Sequence, residues 1–98
     1  MFLSGQIPLT SEGQLVTGDV GEQARQCLKN LSAVLDAAGL STANIVKTTI
    51  FLSSMEHFAT VNAAYGTFFA SEPPARATVA VAGLPRGADV EIEAVAVY

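Results

Sequence analysis

The chain offers few side chains able to do chemistry. His57 is its only histidine and Cys27 its only cysteine. Cys27 falls on the apolar face of a predicted helix, so no histidine-centred nucleophilic triad can be assembled. His57 reads as a first-turn residue of a surface helix. One His, one Cys and no carboxylate pair at ligand spacing leave a transition-metal site unsupplied, and no glycine-rich stretch matches a phosphate or dinucleotide loop. No metal and no organic cofactor is expected. What remains is Arg76, directly after Pro73-Pro74-Ala75 and before an apolar strand, with Glu91 and Glu93 on the last strand. Such an arginine either pairs with one of those glutamates as a structural ion pair or holds an anion with its two-pronged guanidinium.

The elements that must position these groups follow from apolar spacing. Phe2 to Ile7 reads as a strand, Pro8 to Gly13 as a turn, and Gln14 to Thr17 as a short returning strand. Val20, Ala24, Cys27, Leu28, Leu31, Leu35 and Ala38 follow helical spacing, with Asp19 as N-cap and Gly39 as the residue after the stop. Ile45 to Leu52 is β-branched and alternating, a strand. Ser53-Ser54-Met55-Glu56 carries a capping-box pattern before a second helix, whose apolar side is Phe58, Val61, Tyr65, Phe68 and Phe69. Pro73-Pro74 ends that helix. Strands are predicted over Ala77 to Ala82 and Val90 to Val97. The order is β-β-α-β-α-β-β, an α+β domain.

Ninety-eight residues make one domain, 1–98, with a modest core. Only 14% of residues are charged while 50% are hydrophobic, against about 25% charged in an average soluble domain. No apolar run approaches the roughly 20 residues of a membrane span. The surplus apolar surface is therefore assigned to an interface between copies of the chain. Two helices cover one side of such a sheet, yet Ala77 to Ala82 carries almost nothing polar on either face, so the second face also calls for a copy. The net charge of −4 and the scattered Arg25, Lys29, Lys47, Arg76 and Arg86 argue against a nucleic-acid partner. A single cysteine and no secretory signal fit the cytoplasm.

The stretch Pro74-Ala75-Arg76-Ala77-Thr78-Val79-Ala80-Val81, then Gly83-Leu84-Pro85 and Val90-Glu91-Ile92-Glu93-Ala94, resembles the signature of the Rid family, the YjgF-like reactive enamine/imine deaminases. Further matches are Ser4-Gly5-Gln6-Ile7-Pro8, Gln23-Ala24-Arg25-Gln26, Ala37-Ala38-Gly39-Leu40, Ile45-Val46-Lys47-Thr48-Thr49 and Phe58-Ala59-Thr60-Val61-Asn62. The resemblance implies the chorismate-mutase-like fold, in which three subunits pack their sheets into a barrel with the helices outside. It implies hydrolysis of short enamine/imine acids of the 2-aminoacrylate class, released by pyridoxal-phosphate dehydratases, to 2-keto acids and ammonia in a cleft between subunits. Arg76 then matches the arginine that grips the substrate carboxylate, and Glu91 the glutamate that positions or activates water. Ser4 and Gly5 match pocket-wall residues, Asn62 a pocket-side asparagine, and Thr78 a position where many members have cysteine.

The sequence departs from the family pattern in two places. Thr78 brings no thiol, at a position thought to act mainly through its backbone. Met1 stands just before Phe2-Leu3-Ser4, whereas the pattern carries an earlier strand and loop with a pocket tyrosine, so the expectation is a truncated or misassigned start or a differently built pocket wall. Two other readings stand beside the deaminase: a non-catalytic trimer that binds a small 2-keto acid, and the RNA-cleaving or translation-inhibiting role proposed for relatives, which the acidic balance opposes.

Overall fold

The computed structural model describes residues 1–98. Strand β1 is Phe2–Gln6, helix α1 Val20–Ala37, β2 Ile45–Leu52, helix α2 Phe58–Phe68, β3 Ala75–Ala80 and β4 Val90–Ala96. Short 3₁₀ turns precede β2 and α2 and join β3 to β4. No helix is long and apolar enough to cross a membrane.

Helix α1 begins where Asp19 accepts a hydrogen bond from the Gly21 N–H at 2.8 Å, one of the orphan donors of a helix start. It ends with Gly39 at φ 75°, while the Gly39 and Leu40 N–H groups bond back to Asp36 and Leu35, the paired closure that a left-handed glycine permits. Helix α2 starts later than the capping pattern implies. Ser54, not Ser53, caps the 3₁₀ turn Met55–His57, because the Ser53 hydroxyl is bonded to Asp89 at 2.7 Å.

The sheet has four strands in the order β1-β4-β2-β3, not five. The segment Gln14 to Thr17 makes only an isolated bridge, Leu9 to Leu15. The segment lies against Pro8 to Thr10, where the Val16 N–H bonds to the Pro8 carbonyl but Pro8 has no N–H to return the bond and extend the ladder. Strand β3 runs parallel to β2, with Thr48 beside Arg76 and Ile50 beside Thr78; β4 is antiparallel to both β1 and β2. The ladder starts at Ala75, so Arg76 lies inside the strand rather than before it. β3 is also an edge strand, largely exposed.

Both helices lie on one face. Leu28, Leu31 and Leu35 of α1 and Val61 of α2 pack on Ile50, Leu52, Val90 and Ile92, all at most 1% exposed. Burying each such aliphatic side chain is worth about 1.5–3 kcal/mol. Along β4 the even-numbered residues from Val90 to Ala96 are buried and the odd ones are not, as strand alternation requires. Phe2, Val79 and Val97, at 87%, 43% and 51% exposure, leave the opposite face apolar and uncovered within one chain.

Candidate active site

Arg76 faces the helices, because its ladder partner Thr48 is buried on that side. Its Nη1 donates to Oδ1 of Asn62 on α2 at 2.6 Å. Its guanidinium carbon lies 4.9 Å from the centre of the Tyr65 ring and 5.7 Å from that of Phe58, both within cation–π reach. No glutamate pairs with it. The structural ion pair left open by the sequence is therefore not formed within the chain, and Asn62 takes one of the five N–H donors of a guanidinium beside an open cleft. That cleft, about 400 Å³, is walled by Asn62, Tyr65 and Gly66 of α2, by Phe69 just after it, and by Pro73 and Pro74. Thr78 follows on the same face of β3, and its Oγ1 is buried with no hydrogen-bond partner, a state that ordinarily costs about 1–3 kcal/mol.

Glu91 lies on the helix-free face of β4 and reaches toward β1. A Cβ placed on Gly5 would stand only 2.9 Å from the Glu91 Cδ and closer still to its Oε2, so the missing side chain of Gly5 is what admits the carboxylate. Ser4 is exposed beside it. Glu93 is exposed on the same face of β4.

The six candidate residues thus form two groups. Arg76, Asn62 and Thr78 sit at the β3 edge on the helix side, and Ser4, Gly5 and Glu91 at the β1 edge. Strand β2 separates β4 from β3, a span of two strand spacings or about 10 Å, and Glu91 and Arg76 point to opposite faces. Within one chain they do not meet. A larger depression, about 550 Å³, lies between the Leu9–Glu12 loop and α1; of the candidate residues it includes none.

Behind the site, Asp89 ties the start of β4 to its surroundings. Its carboxylate accepts from Ser53 Oγ at 2.7 Å and Gln23 Nε2 at 3.1 Å, and its N–H donates to Gln23 Oε1 at 3.0 Å. The Ser53 and Gln23 hydrogen bonds hold the Asp89 carboxyl below its ordinary range against the opposing effect of burial, with the nearby His57 contributing least. Cys27 is buried and donates weakly to the Val90 carbonyl at 3.7 Å. Burial, with the charge of Glu91 adding to it, pushes its thiol up to about 12, so it is no nucleophile. No three His, Cys, Asp or Glu side chains are grouped to hold a metal ion.

Two residues near the arginine escape a reading of the sequence that treats the aromatic residues of α2 as its apolar, core-facing side. Phe58 and Tyr65 belong to the same helical stripe as Asn62, at spacings i, i+4 and i+7, and that spacing was the available signal. Gln23, only 2% exposed, interrupts an apolar stripe and could have been noticed for that reason.

Comparison with known proteins agrees with this arrangement of elements. The family model described as Endoribonuclease L-PSP matches residues 1–98. The chain is 54% identical over 98 residues to the 2-iminobutanoate/2-iminopropanoate deaminase of Mus musculus, covering 99% of this chain and 73% of that protein. It is 50% identical over 100 residues to the protein of the same name from Salmonella typhimurium, covering 99% and 78%. The crystal structure of the YjgF gene product of E. coli superposes with a TM-score of 0.93 at 48% identity, over 98% of this chain and 78% of that one. A family match spanning every residue, joined to relatives at half identity and a shared fold, means that this chain belongs to the Endoribonuclease L-PSP family, the Rid or YjgF-like proteins.

Proposed function

We propose that the protein hydrolyses short reactive enamine/imine acids of the 2-aminoacrylate class to 2-keto acids and ammonia, in a cleft completed by a second copy of the chain. The observation that carries the reading is Arg76: a guanidinium held in an open cleft with no carboxylate partner in its own chain. The names of the mouse and Salmonella relatives support the same chemistry.

Arg76 grips the planar carboxylate with two parallel N–H bonds, and Asn62 fixes the guanidinium. The enamine takes a proton at carbon to become the iminium. Glu91 accepts a proton from water as the water oxygen bonds to the iminium carbon, giving a carbinolamine. Glu91 then returns that proton to the nitrogen, the C–N bond breaks and ammonia leaves, while the hydroxyl gives its proton to Glu91, and from there to solvent, as it becomes the keto oxygen. No electrons are exchanged with an acceptor, so the sequence of steps calls for no cofactor. Ser4, Gly5 and Thr78 shape the walls.

The two groups of residues stand at opposite edges of one sheet, so the reading needs the β3 edge of one copy beside the β1 edge of the next. A homotrimer with the helix-free faces turned inward supplies this and covers Phe2, Val79 and Val97. The acidic balance favours a small-molecule substrate over RNA, and the single buried Cys27 is compatible with cytoplasmic work.

The test is to generate 2-aminoacrylate with a serine or threonine dehydratase and follow keto-acid formation with and without the purified protein. Acceleration is expected. Absence of acceleration, with a 2-keto acid still bound, would replace the enzyme by the non-catalytic carboxylate binder.

A further inference from the structure

We infer that Tyr65, assisted by Phe58, is a positioning residue for Arg76, giving the guanidinium an aromatic floor so that its donor edge is presented outward to a carboxylate. The inference rests on the carboxylate-gripping role proposed above for Arg76.

An arginine on an exposed edge strand has many rotamers, and a two-pronged contact uses only a few of them. Here three fixed points remove that freedom. The guanidinium carbon stands 4.9 Å from the Tyr65 ring centre and 5.7 Å from the Phe58 centre, and Asn62 accepts from Nη1. The floor is itself anchored. The Tyr65 and Thr48 hydroxyls share a hydrogen bond of 2.7 Å, with Tyr65 4% and Thr48 1% exposed. Thr48 is the ladder partner of Arg76, so the strand pair that sets the arginine backbone also sets the ring beneath its head group. Phe69 packs against the same ring, its centre 4.7 Å from that of Tyr65. Burial pushes the phenol above its ordinary value, opposed by the Thr48 hydrogen bond and the charge of Arg76. The ring therefore meets the guanidinium as a neutral π-face, which attracts a cation without competing for it as a carboxylate would.

The experiment compares Tyr65→Phe, Tyr65→Leu, Phe58→Leu and Arg76→Ala in kcat, KM, the Kd for pyruvate and thermal midpoint. Tyr65→Leu is expected to raise KM and Kd together by about 10-fold while kcat at saturation stays within about 2-fold, and Tyr65→Phe, which keeps the ring, to restore both to within about 3-fold of wild type. Phe58→Leu, at a half-buried position, is expected to raise KM about 3-fold, and it carries the test if Tyr65→Leu does not fold. Unchanged KM and Kd in these variants, with only a lower midpoint, would overturn the inference and leave Tyr65 a core residue. If Arg76→Ala also leaves Kd unchanged, the role of Arg76 itself falls; if Arg76→Ala abolishes binding while the ring variants retain it, only the positioning role falls.

Discussion

Nη1 of Arg76 and Oδ1 of Asn62 lie 2.6 Å apart, joining the edge strand β3 to helix α2 across the mouth of the cleft. A neutral amide suits this position: it accepts one N–H bond and leaves the positive charge uncompensated for a ligand. An acidic residue there would satisfy the arginine completely.

Substitutions at 62 should therefore rank by charge. Asn62→Ala is expected to raise KM about 5-fold by freeing the guanidinium. Asn62→Asp is expected to raise it about 50-fold, because a carboxylate would take both prongs of Arg76 and compete with the substrate. Steady-state kinetics on dehydratase-generated substrate measures both, and equal effects of the two variants would contradict the ranking.

Gly5 and Glu91 form the second close pairing. A Cβ at position 5 would displace the Glu91 carboxylate. Gly5→Ala is expected to lower kcat/KM about 100-fold, the order of loss produced by a misplacement of about 1 Å, with far-UV circular dichroism unchanged. Wild-type turnover in Gly5→Ala would remove Glu91 from the mechanism.

Val79 stands in the helix-free face, 43% exposed in the single chain, in register with Phe51 of β2. If that face is the inside of a trimer, Val79→Glu places an unpaired carboxylate in a packed interface and should dissociate it. Size-exclusion chromatography with light scattering is expected to show a trimer for wild type and a monomer for the variant. A wild-type monomer would refute the assembly.

The raised thiol of Cys27 gives an alkaline signature. Its ordinary value is 9.0 and the folded value is about 12, so the unfolded chain releases this proton first. The stabilisation is complete below pH 9.0 and is lost as pH rises toward about 12. Urea titrations of wild type and Cys27→Ala at pH 7 and pH 10.5 should show a steeper fall for wild type. Iodoacetamide should label Cys27 only after unfolding.

Several elements were legible because local rules and tertiary packing agree. Asp19 and Gly39 bound α1 as their side chain and backbone freedom dictate, and the alternation along Val90 to Val97 assigned each residue to its face. The segment Gln14 to Thr17 misled because four β-tolerant residues look like a strand until it is known that they lie against Pro8, which has no N–H to continue a ladder. Ser53 misled likewise: its hydroxyl was free to cap a helix in the sequence, but in the fold Asp89 takes it.

The sequence by itself determined the family, the two helices, the apolar excess and the identities of Arg76, Glu91, Gly5 and Asn62. Apolar spacing and motif residues are local properties, readable along the chain. Only the tertiary structure decided that β4 inserts between β1 and β2, that Arg76 meets Asn62 and two aromatic rings instead of a glutamate, and that Arg76 and Glu91 stand apart on opposite faces. Those outcomes depend on strand order, which is set by packing between residues distant in sequence. Strand order also sets these two candidate residues apart within the same sheet.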